Sequence, residues 1–221
     1  MALSEVLFPL ISISRHRIGI DGEGVTSLVS GAGCPLRCRF CINEEVLLRA
    51  KPKAVSPQEL YEKVSCDDLY YRATGGGITF GGGESLLQAA FFAPFRAVCP
   101  AEWKLFAETS LAVPRENVAL AAGSIDEFIV DCKDMDKDIY HRYTGGDVAL
   151  MEENLRFLLD EAGPRRVIVR VPLIPDHNTE ESRGRSISRL KDMGVTRLDV
   201  FSYVRPEERP KRRFRKYTFG T

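Results

Sequence analysis

Short β-type runs alternate with helical patterns along most of this chain, and the alternation restricts the folds that it can adopt. Each run is apolar and rich in Val, Ile, Leu or Phe, as buried strands are. Repeated strand–helix units form right-handed crossovers, which place the strands in a parallel sheet. The predicted strands are Val25–Ser30, Gly77–Phe80, Lys104–Ala107, Glu127–Asp131, Arg166–Val171 and Arg197–Tyr203, with a preliminary strand near Val6–Ser14.

Helical signals occupy segments between the predicted strands. Ser56 and Glu59 stand at N-cap and N3 spacing, which predicts a helix start with a capping box. Residues 84–98 carry apolar side chains at positions 87, 91, 95 and 98, on one helical face. Further helices are predicted over 151–163 and over the more polar segment 178–194.

Six strand–helix units are too few for a closed eight-fold barrel. Two α/β folds remain: a partial, open (β/α)6 TIM-like barrel and a doubly wound sheet. Both concentrate chemistry at the carboxyl ends of the parallel strands. We expect this core over residues 1–204, followed by a basic tail over 205–221 with seven Lys and Arg against two Glu. Such a tail either docks an acidic partner or RNA, or stays solvated.

Charge and hydropathy do not indicate a membrane protein, and we do not expect nucleic acid as the partner. The 221 residues have a formal net charge of zero at pH 7, so no global field favours an anionic partner. No apolar run reaches the ~18 residues that a transmembrane helix needs. The apolar start of the chain lacks a basic n-region and a cleavage site, so we expect a cytoplasmic protein.

Three cysteines fall within eight residues, at Cys34, Cys38 and Cys41, with the spacing C-x3-C-x2-C. In a chain expected in a reducing compartment, clustered cysteines more often bind metal or do redox chemistry than form disulfides. The other cysteines stand singly among apolar neighbours, and we predict that they are buried structural thiols. These are Cys66, Cys99 and Cys132.

Two kinds of metal centre are compatible with a cysteine triplet. A structural zinc site takes four ligands, typically in two separated pairs, and no second Cys/His cluster is present. A [4Fe–4S] cluster also usually takes four thiolates. Three thiolates leave one iron with an open position, at which a substrate or cofactor can bind.

The triplet, with Phe40 before its last cysteine and its place after the first strand of a β/α series, resembles the radical S-adenosylmethionine (SAM) superfamily. The resemblance implies a [4Fe–4S] cluster held by Cys34, Cys38 and Cys41, with SAM on the open iron. Reductive cleavage of SAM to methionine and a 5′-deoxyadenosyl radical is the chemistry that it implies. An oxygen-sensitive cluster and an anaerobic host follow as expectations.

A second segment, "GGGITFGGGESLLQ", is similar to the superfamily's Gly-Gly-Glu signature. The resemblance implies that Gly82, Gly83 and Glu84 hold the amino group of SAM. Glycine permits close backbone approach, and a carboxylate pairs with an ammonium. The alternative is a glycine-rich turn whose glutamate opens a helix and complements the helix dipole.

A narrower resemblance, over roughly residues 16–203, is to the glycyl-radical-enzyme activating proteins. It rests on "IDGEGVTSLVSGAGCPLRCRFCIN", "ETS", "IVDCKDMDKDIYHRYTG" and "VIVRVPLIPDHNTEE", in that order. It implies a glycyl radical enzyme as the protein substrate and a flavodoxin or ferredoxin as reductant. The residues that it assigns to SAM are Phe40 against adenine, Gly82, Gly83 and Glu84 at the amino group, Glu108 at the acid position, and the pair Asp131 and Lys133. It assigns Asp21 to the substrate side.

The chain departs from that family's pattern at three positions. Glu23 replaces a usual proline, Glu108 lengthens an expected aspartate, and Val204 stands where a histidine is common. His16 and His141 are predicted to have no chemical role. Two alternative functions therefore remain: radical SAM chemistry on a small molecule or nucleotide precursor, and a non-catalytic Fe–S electron carrier.

Overall fold

The computed structural model describes residues 6–203. It contains one sheet of eight strands in the order β3-β1-β2-β4-β5-β6-β7-β8. Strands β2 and β4 to β8 pair in parallel, whereas β1 is antiparallel to both β2 and β3. The strands are β1 Phe8–Ile18, β2 Val25–Gly31, β3 Lys53–Val55, β4 Gly77–Gly82, β5 Lys104–Thr109, β6 Glu127–Asp131, β7 Val167–Leu173 and β8 Leu198–Ser202.

Eight α-helices and three short 3₁₀ turns occupy the connections within the described residues. The helices are α1 Glu44–Arg49, α2 Pro57–Val64, α3 Asp68–Thr74, α4 Ala89–Val98, α5 Arg115–Ala122, α6 Lys137–Thr144, α7 Val148–Ala162 and α8 Glu180–Asp192. The 3₁₀ turns are Ser65–Asp67, Ser85–Gln88 and Pro164–Arg166.

The parallel part of the sheet confirms the predicted partial (β/α)6 barrel. Its six strands follow one another in chain order across the sheet. A doubly wound sheet would reverse direction at a switch point, so the order decides between the two predicted folds. The preliminary strand near Val6–Ser14 forms the longer β1, which adds an antiparallel hairpin at one side.

The capping signal at Ser56 predicted its helix start correctly, whereas the start predicted at residue 84 was wrong. The capping box at Ser56 and Glu59 is present at the start of α2. The predicted helix over 84–98 instead begins with a 3₁₀ turn, and α4 starts only at Ala89. As a result Leu87, expected on the buried face, is 38% exposed.

Side chains alternate between the two faces of the parallel sheet, as the period of a strand requires. One face packs under the helices and forms the hydrophobic core, with residues such as Leu105, Val130 and Val169. Alternate residues of the same strands point to the other, inner face. They include Phe106, Glu108, Ile129, Asp131, Ile168 and Arg170.

The turn between β1 and β2 crosses the inner face of the sheet. Its Asp21 carbonyl accepts a hydrogen bond from Thr79 on β4. Its Glu23 carboxylate lies 4.0 Å from the Arg197 guanidinium, next to β8. Strands β4 and β8 are four spacings apart, ~19 Å along a flat sheet. Neighbouring turn residues thus contact both β4 and the start of β8, as expected of a sheet that curves around the turn; we call this curved unit the half-barrel.

The remaining cysteines divide into two environments. Cys99 and Cys132 are buried, as predicted. The prediction was wrong for Cys66, which is exposed because the 3₁₀ turn Ser65–Asp67 lies at the surface, where the Cys66 thiol contacts the Arg15 guanidinium. Within residues 6–203, every helix falls short of the length and apolar character needed to cross a membrane.

Candidate active site

The three clustered cysteines lie in the loop that follows β2. All are free thiols: Cys34 is exposed, and Cys38 and Cys41 are partly buried. Desolvation raises the pKa of Cys38 to about 11, against the opposing positive charge of Lys133. The Cys38 thiol also interacts electrostatically with the other two. Metal ligation requires thiolates, so loading a metal centre here releases protons.

The cysteine loop is fixed to the end of helix α6 through its backbone. The Arg37 amide donates to the Thr144 carbonyl at 2.8 Å, and the Arg39 amide donates to the Tyr143 carbonyl at 3.0 Å. The last carbonyls of a helix lack intrahelical partners. The loop therefore satisfies the end of α6, and α6 in turn holds the loop beside the sheet.

The glycine-rich turn after β4 lies directly against the cysteine loop. The Glu84 amide donates to the Gly33 carbonyl at 2.9 Å, and the Asn43 side-chain amide donates to the Gly82 carbonyl at 2.7 Å. A Cβ atom at Gly83 would lie 2.1 Å from the Gly33 oxygen. Only glycine allows this approach, and it makes the two sequence motifs one structural unit.

The Glu84 carboxylate points into the protein, toward the end of β5. It is 3% exposed and accepts four hydrogen bonds: from the Thr109 hydroxyl, from the Ser110 amide and hydroxyl, and from the Leu86 amide. Burial raises the pKa of Glu84, and these donors oppose that shift. All four groups donate, which is the environment of an ionised carboxylate. In this arrangement Glu84 holds the "ETS" segment in place.

Lys133 carries a buried positive charge at the carboxyl end of β6. Its ammonium lies 3.0 Å from the Asp131 carboxylate and 6.0 Å from the centre of the Tyr203 ring. Burial acts to lower the pKa of Lys133, but the charge and hydrogen bond of Asp131, together with Tyr203 and Cys38, outweigh it, so the pKa is raised. Lys133 is therefore charged and within the electrostatic reach of Cys38.

Glu108 ends the inner face of β5 and pairs with Arg170 on β7, with 2.7 Å between Oε1 and Nη1. Burial raises the pKa of Glu108 to about 7, with Arg170 opposing the shift and the charges of Asp21 and Asp131 adding to it. This carboxyl group therefore keeps its proton to a higher pH than an ordinary glutamate does. It is thus a titratable acid between the turn of the hairpin and the cofactor side of the sheet.

Asp21, predicted to face the substrate, is buried in the half-barrel. Its carboxylate is bound by the Nε and Nη2 atoms of Arg17, and only 3% of the residue is exposed. The Asp21 carboxylate therefore contacts Arg17 in this structure. Phe40 stands on the opposite side of the site, with ring centroids 5.4 Å from His177 and 6.4 Å from Tyr143.

The donor set fits a [4Fe–4S] cluster with SAM. Three free thiols share one loop, and a charged lysine and nearby carboxylates match the carboxylate and ammonium of the methionine part of SAM. Among the described residues no three Cys, His, Asp or Glu side chains converge on a single metal ion. A cubane is held differently, because its thiolates bind separate iron atoms.

The chain matches the profile of the radical SAM superfamily over residues 28–184, more than half of its length. That range contains the cysteine loop, the glycine turn and the ends of β5 and β6. The chain therefore belongs to the radical SAM superfamily, whose members use a [4Fe–4S] cluster and SAM.

Curated relatives carry the names of activating enzymes. The chain is 34% identical to the (2S)-3-sulfopropanediol dehydratase activating enzyme of Klebsiella oxytoca, over 69% of the chain and 49% of that protein. It is 32% identical to the isethionate sulfite-lyase activating enzyme of Desulfovibrio desulfuricans, over 72% and 51%. It is 27% identical to the pyruvate formate-lyase 2-activating enzyme of Escherichia coli, over 88% and 76%. The chain spans about half the length of the first two.

Solved structures share the fold at low identity. Streptococcus suis SuiB bound to S-adenosylmethionine superimposes with a TM-score of 0.60 at 12% identity, over 83% of this chain and 40% of that chain. The enzyme anSMEcpe with bound AdoMet and the Cp18Cys peptide gives 0.58 at 15% identity, over 85% and 54%. At such identities the likeness establishes the fold alone.

Three residues of the site were missed by sequence reasoning. Asn43, two positions after the last clustered cysteine, joins the cysteine loop to the glycine turn. Ser110 binds Glu84 through two groups, and Arg170 pairs with Glu108. Each of these residues lies inside a motif quoted above. The sequence therefore showed its position next to the site but could not show which residue it binds.

Proposed function

We propose that this chain abstracts a hydrogen atom from a glycine of a partner glycyl radical enzyme. The observation that carries the proposal is the union of the cysteine loop with the glycine turn, with buried, charged Lys133 beside them. The curated relatives, which are named as activating enzymes, support the choice of a protein substrate.

Each residue of the site has a part in this proposal. Cys34, Cys38 and Cys41 bind the cluster, and Lys133 binds the carboxylate of SAM. The backbone of Gly82 and Gly83 and the carboxylates of Glu108 and Asp131 face its amino end. The aromatic ring of Phe40 covers adenine, and Glu84 holds the "ETS" segment that bears Glu108. Cluster and SAM, when bound, supply the radical chemistry; the chain binds, orients and excludes water.

The overall reaction balances with one electron from outside the chain. SAM and one electron yield methionine, the hydrogen atom of the glycine Cα passes to the 5′ carbon, and 5′-deoxyadenosine leaves with that hydrogen. The partner retains an unpaired electron on glycine, where the flanking amides delocalise it. We propose that a flavodoxin or ferredoxin donates the electron in the cytoplasm.

Residues 1–204 are proposed as the radical SAM core and 205–221 as a basic tail. The tail, with Val204, lies outside the described residues. Asp21 is proposed to turn from Arg17 toward the glycine-bearing loop of the partner when that loop enters the half-barrel.

The test is anaerobic and has two stages. The chain is reconstituted with iron and sulfide, reduced with dithionite and given SAM, and 5′-deoxyadenosine and methionine are quantified. Purified sulfopropanediol dehydratase, isethionate sulfite-lyase and pyruvate formate-lyase are then added, and glycyl radical is measured by EPR. We expect cleavage and a radical on one of them. Cleavage with no radical on any would move the proposal to a small-molecule substrate, and no cleavage of SAM would reject radical SAM catalysis.

A further inference from the structure

Two tyrosine hydroxyls are buried under the cysteine loop without a hydrogen-bond partner among the described residues. They belong to Tyr140 and Tyr143 on α6, which are 0% and 1% exposed. A buried hydroxyl without a partner destabilises the folded chain, because it gives up its hydrogen bonds to water and gains none in return. Such a group calls for an explanation, and a cofactor that binds after folding is one.

The surroundings of Tyr140 point to the cluster. Its hydroxyl interacts electrostatically most strongly with the buried Cys132 thiol and then with Cys38, Lys133 and Glu84, and these last three come one from each of the three parts of the site. A Cβ on Gly146 would lie 3.3 Å from the Tyr140 ring and 2.5 Å from Leu36 of the cysteine loop. The ring and Leu36 therefore both flank Gly146, which places the ring close to the cysteine loop.

The hydroxyl of Tyr140 is a donor rather than an anion. Burial raises its pKa, and the thiols of Cys132 and Cys38 add to the shift. Tyr143 differs, because the backbone amide of Phe40 lies near its oxygen and favours its charged form. Tyr140 is therefore the stronger candidate of the two. Its hydroxyl proton has no acceptor among the described residues, and the Cys38 sulfur lies in its surroundings.

We propose that Tyr140 donates a hydrogen bond to the Cys38 sulfur or to the adjacent sulfide of the bound cluster, and that this bond favours the reduced cluster. The inference rests on the proposed cluster ligands. A hydrogen bond to sulfur stabilises the additional negative charge that reduction introduces, and such bonds set Fe–S potentials. Tyr140 acts in this way as a positioning residue around the cluster.

The measurement is the midpoint potential of the cluster in Tyr140→Phe, obtained by an EPR-monitored redox titration of the reconstituted chain. We expect the reduction equilibrium constant to fall about tenfold, which for one electron is ~59 mV toward more negative potential. Iron and sulfide content should stay at the wild-type level. An unchanged potential at full cluster load would overturn the inference and leave the proposed function standing.

Tyr71→Phe is the matched control. Tyr71 is equally buried, but its hydroxyl already donates to Ser27 at 2.6 Å, in the first half of β2, whereas the cysteine loop follows the carboxyl end of that strand. This variant should keep the wild-type potential; an equal shift would show that loss of any buried hydroxyl has this effect and would overturn the inference.

Unfolding of the cluster-free chain supplies a second readout if loading is poor. Tyr140→Phe should raise the urea midpoint, or at least not lower it, because the change removes a buried hydroxyl that has no partner among the described residues, whereas Tyr71→Phe should lower the midpoint because it removes a hydrogen bond. A lowered midpoint for Tyr140→Phe would mean that the hydroxyl is already bonded within the protein, which contradicts the inference. Failure of the wild-type chain to hold iron would instead reject the cluster ligands themselves.

Discussion

Arg170 and Glu108 form an ion pair across the inner face of the half-barrel, with 2.7 Å between Nη1 and Oε1. The same guanidinium donates to the carbonyl of Ile20, next to Asp21. Arg170 thereby connects two parts of the site. One is the turn with Asp21, which is proposed to contact the substrate, and the other is Glu108, which is proposed to contact SAM. A change of charge on Glu108 therefore alters the electrostatic environment of Arg170 and, through Arg170, of the turn at Ile20.

Glu108→Gln should flatten the pH dependence of folding stability. The pKa of Glu108 is raised to about 7 from an ordinary 4.5 because of burial, so the folded chain binds this proton more tightly. The contribution is complete below pH 4.5 and is lost as the pH rises to about 7. Its size is on the order of 3 kcal/mol at most.

Urea unfolding of the cluster-free chain at several pH values between 5 and 8 would test this prediction. Wild type should lose more stability than Glu108→Gln as the pH rises from 5 through 7, and the two curves should become parallel only toward pH 8. Equal slopes throughout would show that Glu108 titrates normally. Glu116→Gln, an exposed change on α5, is the control for the general effect of removing one carboxylate.

Cys38→Ser should abolish the four-iron cluster, whereas Cys66→Ser and Cys99→Ser should retain it. The first removes one of three thiols in the same loop, and the others lie outside it. Iron and sulfide analysis after reconstitution gives the result. A full load in Cys38→Ser would reject the ligand assignment.

Lys133→Ala should weaken SAM binding about 10- to 100-fold with the cluster intact, because a buried charge-assisted hydrogen bond is worth about 1.5–3 kcal/mol. Equilibrium dialysis of SAM against the loaded chain measures the change. Lys137→Ala, at an exposed lysine on the next helix, should bind SAM as wild type does. Unchanged affinity in Lys133→Ala would remove this residue from the site.

Glu84→Gln should destabilise the chain by about 2–3 kcal/mol. A glutamine can accept at only one of its two end positions, so its NH₂ group would face the donors of Ser110 or Thr109. Urea unfolding compares this variant with wild type, again with Glu116→Gln alongside. Wild-type stability would mean that the carboxylate is not the acceptor of those bonds.

The sequence predicted the parallel strands from their alternation with helical segments. It also predicted that the cysteine loop and the glycine turn lie at the same edge of the sheet, because each follows a predicted strand. Alternation within β5 and β6 also fixes that Glu108 and Asp131 share the inner face once the strands are known. Fold and family are thus accessible from the sequence. The residue roles in SAM binding stay predictions.

Side-chain direction at the site could not be predicted, because it depends on contacts between distant segments. Glu84 turns away from the glycine turn only since the end of β5 offers it donors. Asp21 meets Arg17 because the hairpin folds back on itself. The exposure of Cys66 depends in the same way on where a short 3₁₀ turn ends.

The anchoring of the cysteine loop bears on how a cofactor would enter. Its backbone is held by hydrogen bonds to α6 and to the glycine turn, all of them made within the chain. Ordering a free backbone costs about 1–2 kcal/mol per residue. In this loop that entropy is lost when the chain folds and not when the cluster is inserted. Cluster insertion therefore needs little backbone rearrangement, and its rate should follow the supply of iron and sulfide and the loss of thiol protons.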